Sequence, residues 1–97
     1  MYLVVSHWEP LPGKEREMDE TGRVVLSALR RTPGVVFSEA FNSDGKHVVV
    51  HGYESEEAYH RVQEDANTEF ARTYRDRGVE ENSRWLQSER GETLPHA

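Results

Sequence analysis

Two β-rich runs meet at a single tight-turn signal in the middle of the chain, and this constrains the fold more than any other feature. VVFSEAFN (35–42) and HVVVHGY (47–53) are dense in β-branched and aromatic residues, the types that suit a pleated, half-buried surface. Asp44-Gly45 between them supplies the positive φ values of a short hairpin turn. In the first run Val35, Phe37 and Phe41 fall on one face, with Glu39 among them. A central hairpin forces its flanks to be accounted for together, because a lone two-stranded ribbon is marginal in water.

The flanks repeat one pattern. Tyr2–Trp8 reads as a strand and is stopped by Pro10-Leu11-Pro12-Gly13. Lys14–Arg31 then reads as a helix: Met18, Gly22, Val25 and Leu29 recur on one face, Ala28 widens the stripe, and Arg30 and Arg31 suit the C-terminal end of the helix dipole. Thr32-Pro33-Gly34 ends it. After the hairpin, Ser55 is a candidate N-cap, with Glu56 and Glu57 at the positive end of a second helix. That helix is expected to run on through Ala58, Val62, Ala66, Phe70 and Tyr74, with Tyr59 beside the stripe and Gly78 as a left-handed cap. SRWLQSER (83–90) reads as the last strand. The order β-α-β-β-α-β predicts an α+β, ferredoxin-like domain over 1–90, a four-stranded antiparallel sheet with two helices on one face. The polar stretch 91–97 is expected to be a frayed tail.

Composition sets the remaining bounds. The chain has 97 residues and 35% hydrophobic content, enough for one domain with a thin core. Its net charge of −6 comes with no basic stripe, which argues against nucleic acid and against anionic lipid. It has no cysteine, so disulfides, thiolate catalysis and cysteine-bound metal are excluded. No leader-like or membrane-spanning run is visible, and a cytoplasmic location is the default expectation.

The punctuation of this chain resembles the antibiotic-biosynthesis-monooxygenase-like group of the dimeric α/β-barrel superfamily. The resemblance covers roughly residues 1 to 90. It rests on the element order, on Pro33-Gly34 before the second strand, and on Tyr53, Ser55, Glu56, Glu57 and Ala58 where the third strand meets the second helix. It implies a pocket between sheet and helices, and dimers whose bare sheet faces close into a barrel. Members include cofactor-free oxygenases of aromatic polyketide or quinol-like substrates, heme-degrading enzymes, and proteins with no assigned reaction. The heme-degrading branch carries Asn in the first strand, Trp in the second helix and an iron-ligating His further along it. The matching registers here hold Ser6, His7 and Trp8, then Val62, then Ala71 and Arg72.

The candidate site residues follow from residue type. His7 and His60 are candidate proton acceptors, since imidazole titrates near neutrality. The phenols of Tyr59 and Tyr74 are candidate donors to a substrate oxygen, completing the candidate catalytic set. Trp8, Tyr53, Phe70 and Trp85 are candidate walls for a planar ligand. The bland alternatives are strand-end and surface histidines, and aromatic residues serving as plain core. His47 and His51 share a face of the third strand. With His7 brought near, and Glu9 or Glu39, they are of the types that bind a divalent ion, but spacing across strands is weak support, and neither metal nor cofactor is expected. No phosphate loop, Ser-His-Asp set or Gly-rich cofactor fingerprint occurs.

Three readings stand at this level. The first is a cofactor-independent monooxygenase of a small phenolic or quinol-like aromatic. The alternative is a non-catalytic small-molecule binder or stress-related dimer, and the third is heme degradation. The strands are apolar on both sides: Leu3 and Val5 against Tyr2 and Val4, Phe37 and Phe41 against Val36 and Ala40, His47 and Val49 against Val48 and Val50. Two helices cover one side only, so a homodimer through the other sheet face is expected.

Overall fold

Strict alternation along the first strand organises the molecule. In the computed structural model, which describes residues 1–95, β1 (Tyr2–Pro10) buries Tyr2, Val4 and Ser6 and leaves Leu3, Val5 and His7 half-buried. The first set faces the helices. The remaining elements are α1 (Glu15–Arg31), β2 (Val35–Ser43), β3 (Lys46–Tyr53), α2 (Glu56–Glu64), α3 (Glu69–Asp76), α4 (Val79–Asn82) and β4 (Ser83–Glu92). The sheet is fully antiparallel in the order β2-β3-β1-β4. It is the expected four-stranded α+β arrangement, and the sheet is open rather than closed on itself.

Register decides which side chains can meet. Tyr2, Val4, Ser6 and Trp8 pair with Tyr53, His51, Val49 and His47 of β3, and these pairs share the helix side. His7 pairs with Val48 and so points to the opposite, open face. The expected approach of His7 to His47 therefore does not occur: adjacent residues of a strand cannot share a face.

Two bulges reset the pattern. Val35 pairs with Tyr53 but Phe37 pairs with Gly52, leaving Val36 as an extra residue. Val35 thus packs on the helix-side core, while Phe37 and Phe41 lie on the open face. The expectation that all three share a face is corrected by this one-residue insertion. The second bulge leaves Leu86 unpaired between the Trp8–Trp85 and His7–Gln87 pairs. Phe37 lies flat over Gly52, where a β-carbon would come within 2.4 Å of the ring.

The core consists of Tyr2, Val4, Leu29, Tyr53, Ala58 and Val62, with Val35, Tyr59 and Phe70 packed against it. Arg30 ties α1 to β2 by donating to the Ser38 carbonyl at 2.8 Å. Ser55 caps α2 by accepting from the Ala58 amide at 3.0 Å, so β3 passes directly into an acidic helix start.

The second helix is not continuous as expected. It stops at Asp65, whose Oδ1 accepts from the Asn67 amide at 2.9 Å, and restarts where Thr68 Oγ1 accepts from Ala71 at 3.0 Å. Two short polar side chains bond to nearby backbone more favourably than the helix can use them. The break lets α3 turn and lay Phe70 and Tyr74 over the sheet. Gly78, at φ 63°, separates α3 from α4. Gly91 and Glu92, expected in the tail, close β4 instead, and Thr93 donates to the Met1 carbonyl at 2.9 Å. The last two tail residues lie outside the described residues. No helix among the described residues is long and apolar enough to cross a membrane.

Candidate functional site

The helix side of the sheet is not packed solid. A cavity of about 700 Å3 lies between β1, β3 and β4 below and α1 and α3 above. It exists because the inward positions midway along the strands are small or polar: Ser6, Val49, His51 and Ser88 leave space that the core at the Tyr2–Tyr53 end fills. Gly22, on the inner side of α1, keeps the roof thin. For a domain of this size such a void gives up contacts that dispersion would otherwise supply.

Five of the candidate residues border the cavity: Trp8, Tyr59, Phe70, Tyr74 and Trp85. Trp8 and Tyr74 meet edge to face at 6.5 Å, and Phe70 and Tyr74 at 5.9 Å. The two indoles are anchored in the same way. Trp8 Nε1 donates to Ser6 Oγ at 3.0 Å, and Trp85 Nε1 to Ser88 Oγ at 2.8 Å. Ser6 and Ser88 are themselves register partners, so the four side chains form one seam across β1 and β4. Burial raises the Tyr74 phenol above its ordinary pKa, with Glu80 adding to the effect, so it stays a neutral donor.

Three candidates stand elsewhere. His7 is on the open face, 3.2 Å from Glu89. His60 is on the outer side of α2 between Glu56 and Glu64, at 3.4 and 3.8 Å. Neither borders the cavity. Tyr53 is fully buried beneath the wall, where it serves as a support for His51 rather than as a contact surface.

Residues not singled out for this role complete the polar lining. His51 is buried, and its Nδ1 lies 2.7 Å from the Tyr53 hydroxyl. Burial lowers its pKa from 6.5 to about 4, so it is neutral at physiological pH. Gln63 donates to the same hydroxyl at 3.3 Å. Arg90 reaches across β4, donating to Tyr2 Oη at 2.6 Å with its guanidinium 5.1 Å from the centre of the Tyr59 ring. His47 sits beside the cavity with Nε2 2.8 Å from Asp19 Oδ1. The signal for these residues was in the sequence: polar types at strand positions whose phase is set by buried Tyr2 and Val4. Among the described residues, no group of three His, Asp or Glu side chains stands close enough to hold a metal ion.

No family model matches the chain, and no curated protein does. Solved structures match over nearly its whole length. A Nitrosomonas europaea protein, provisionally named an antibiotic biosynthesis monooxygenase, is 18% identical and superposes with a TM-score of 0.78 over 98% of this chain and 100% of its own. Rv0793 from Mycobacterium tuberculosis is 19% identical, with a TM-score of 0.77 over 99% and 97% of the two chains. SnoaB, a cofactor-independent oxygenase from Streptomyces nogalater, is 17% identical, with a TM-score of 0.72 over 99% and 94%. Several solved structures of this fold thus carry the name of the group that the sequence resembles. At such identities the likeness is one of fold, and the activities belong to those proteins.

Proposed function

We propose that this chain is a cofactor-independent monooxygenase of the antibiotic-biosynthesis-monooxygenase-like group, acting on a small phenolic or quinol-like aromatic. The observation that carries the reading is the cavity: an aromatic enclosure with a few convergent polar groups at its floor, the form of site that orients a planar molecule. The fold shared with SnoaB, a cofactor-independent oxygenase, agrees with it.

The chemistry asks little of a protein. An electron-rich ring that loses a proton becomes a carbanion able to give an electron to dioxygen. The two radicals join to form a carbon–oxygen bond, and the hydroperoxide loses water to leave a carbonyl. One oxygen atom stays on that carbon, and the other leaves as water with the hydrogen of that carbon and one more, which is the second hydrogen of an activated CH2 or the hydroxyl hydrogen of a phenol. Tyr59 and Tyr74 would donate to the ring oxygens as negative charge develops, and Trp8 and Phe70 would flank the ring, with Trp85, 54% exposed, at the rim. The test is oxygen uptake with a panel of quinols and phenolic ketones bearing an activated CH2, followed by the appearance of the quinone chromophore. Uptake that saturates with substrate and falls in Tyr74→Phe supports the reading. Binding without uptake across the panel overturns it.

One observation favours the second reading, a ligand-binding dimer without turnover. His51, a buried histidine that borders the cavity, is a weak base because burial disfavours its charged form. For heme, the Trp register is occupied by Val62, buried in the core with 1% exposure, and tight binding is not expected. A histidine-type Soret shift at micromolar protein would reverse that expectation.

The same proposal includes a homodimer through the open sheet face. Leu3, Val5, Phe37, Phe41 and Val50 lie on that face, and Phe41 is 55% exposed. A second copy about a two-fold axis would cover them and make each contact twice. Sedimentation at micromolar concentration separates a dimer from an 11.2 kDa monomer.

A further inference from the structure

Two histidines border the cavity from the same face of β3, and the bonds behind their rings differ. Behind His51 stand two groups in series. The Gln63 side-chain nitrogen can only donate to Tyr53 Oη, at 3.3 Å. The Tyr53 hydroxyl accepts there and turns its own proton to His51 Nδ1, 2.7 Å away. A neutral imidazole that accepts at Nδ1 carries its proton at Nε2. No buried side-chain nitrogen or oxygen among the described residues is both sealed and unpartnered, so Nε2 keeps open space, and the cavity provides it.

His47 is arranged the other way. Its Nε2 faces Asp19 Oδ1 at 2.8 Å, and an ionised carboxylate can only accept, so the proton is held at Nε2. In the neutral ring the lone pair is then on Nδ1. That atom faces Gly22 of α1, where a β-carbon would stand 4.0 Å away, and Gly22 borders the cavity. Any larger side chain at this glycine would begin to fill the approach to Nδ1.

We infer that the two cavity histidines hold opposite, fixed roles, His51 as a donor through Nε2 and His47 as an acceptor through Nδ1, and that the site selects a planar fused-ring molecule with an acceptor oxygen at one end and an ionisable hydroxyl at the other. The histidines are four residues apart on one strand, roughly 13 Å along it. Two or three fused rings with their oxygen substituents bridge such a span once both imidazoles lean inward. Asp19 and Tyr53, neither of which borders the cavity, are positioning residues, which set the proton on each ring without touching the ligand; Gln63, part of the lining, holds the Tyr53 hydroxyl. The inference rests on reading the cavity as a site for a small aromatic, but not on turnover.

The probe is 6-hydroxy-1-tetralone, a two-ring phenolic ketone with its hydroxyl and carbonyl at opposite ends. Its controls are 1-tetralone, which lacks the hydroxyl, and 5,6,7,8-tetrahydro-2-naphthol, which lacks the carbonyl. By calorimetry the full probe should bind about tenfold more tightly than either control, one net hydrogen bond each. Asp19→Asn, at a position whose side chain is 55% exposed, should erase the advantage over 1-tetralone alone. Tyr53→Phe should erase the advantage over the naphthol alone. Gln63→Leu, at an exposed position on α2, tests the same arm with Tyr53 in place. Long-range 15N–1H correlation spectra at neutral pH should show both rings as Nε2–H tautomers, a signature that a merely structural role for Asp19 or Tyr53 would not produce in variant-specific fashion. A doubly protonated His47, three probes that bind alike, or a wild type that binds none of them overturns the inference. If quinols fail to consume oxygen while the probe pattern holds, the inference stands and turnover falls. Oxygen uptake with probes that bind alike does the opposite.

Discussion

The two faces of the sheet are built from alternate residues of the same strands, yet they solve different problems. The helix side buries Tyr2, Val4 and Tyr53 at one end and then leaves a cavity beside Ser6, His51 and Ser88. The open side presents Leu3, Val5 and Phe41, interrupted by His7 and Glu89, with Phe37 laid over Gly52. One face has spent packing to make room for a ligand; the other keeps apolar surface that water does not favour. Period two makes this division possible, since a substitution at one position reaches only one of the faces.

The sharpest break of the comparison is in the helix-side core. Leu29 is 3% exposed and packs at the end of the cavity roof. Leu29→Ala is expected to cost about 2–5 kcal/mol in urea unfolding, at the same value at all protein concentrations. Leu3→Ala on the open face should cost less, and its cost should vary with concentration if that face is an interface.

Acid should come next. The unfolded His51 takes a proton near pH 6.5, whereas the folded one does so only at about 4. The stability it contributes is therefore full above pH 6.5 and falls as pH drops through that window, since the unfolded chain then binds more protons. The whole loss is on the order of 3 kcal/mol at most. Thermal melts between pH 7 and 4 measure it, and His51→Gln should flatten the slope.

Phe37→Asp probes the open side. It places a carboxylate among Leu3, Val50 and Gly52 and removes the ring that covers the glycine. We expect a loss of about 2 kcal/mol per subunit, seen as a shift from dimer to monomer in sedimentation and a lower melting temperature. A sedimentation coefficient unchanged from a wild-type dimer would place the contact elsewhere. Ser55→Ala sets the lower end of the scale. It removes one cap bond far from both faces and should cost about 1 kcal/mol regardless of concentration or ligand.

Much of this division was legible before any coordinates. The hairpin was marked by Asp44-Gly45, the helix stripe by Met18, Val25 and Leu29, and the α2 start by Ser55. The parts that escaped share one cause: they depend on single residues that reset a period. Val36 and Leu86 each add one residue to a strand, which no alternation pattern announces, and so Val35 was placed on the face of Phe37. Asp65 and Thr68 stop and restart a helix whose apolar spacing runs straight through them. In the site, aromatic type pointed to Trp8, Tyr59, Phe70, Tyr74 and Trp85. The histidines were misplaced because ring chemistry is visible in a sequence and pairing register is not. Reading inward from Tyr2 and Val4 would have favoured His51 over His7.

The bulges at Val36 and Leu86 have a further consequence for crowded solutions. They fall in β2 and β4, the two outermost strands, whose free backbone groups would otherwise template addition of another chain in register. An extra residue kinks such a strand and spoils the even ladder that fibril growth requires. If two copies meet through the flat of the sheet as proposed, growth would halt at a pair. The same insertions that hid Val35 from the alternation pattern would thus keep a small protein with an uncovered sheet from polymerising.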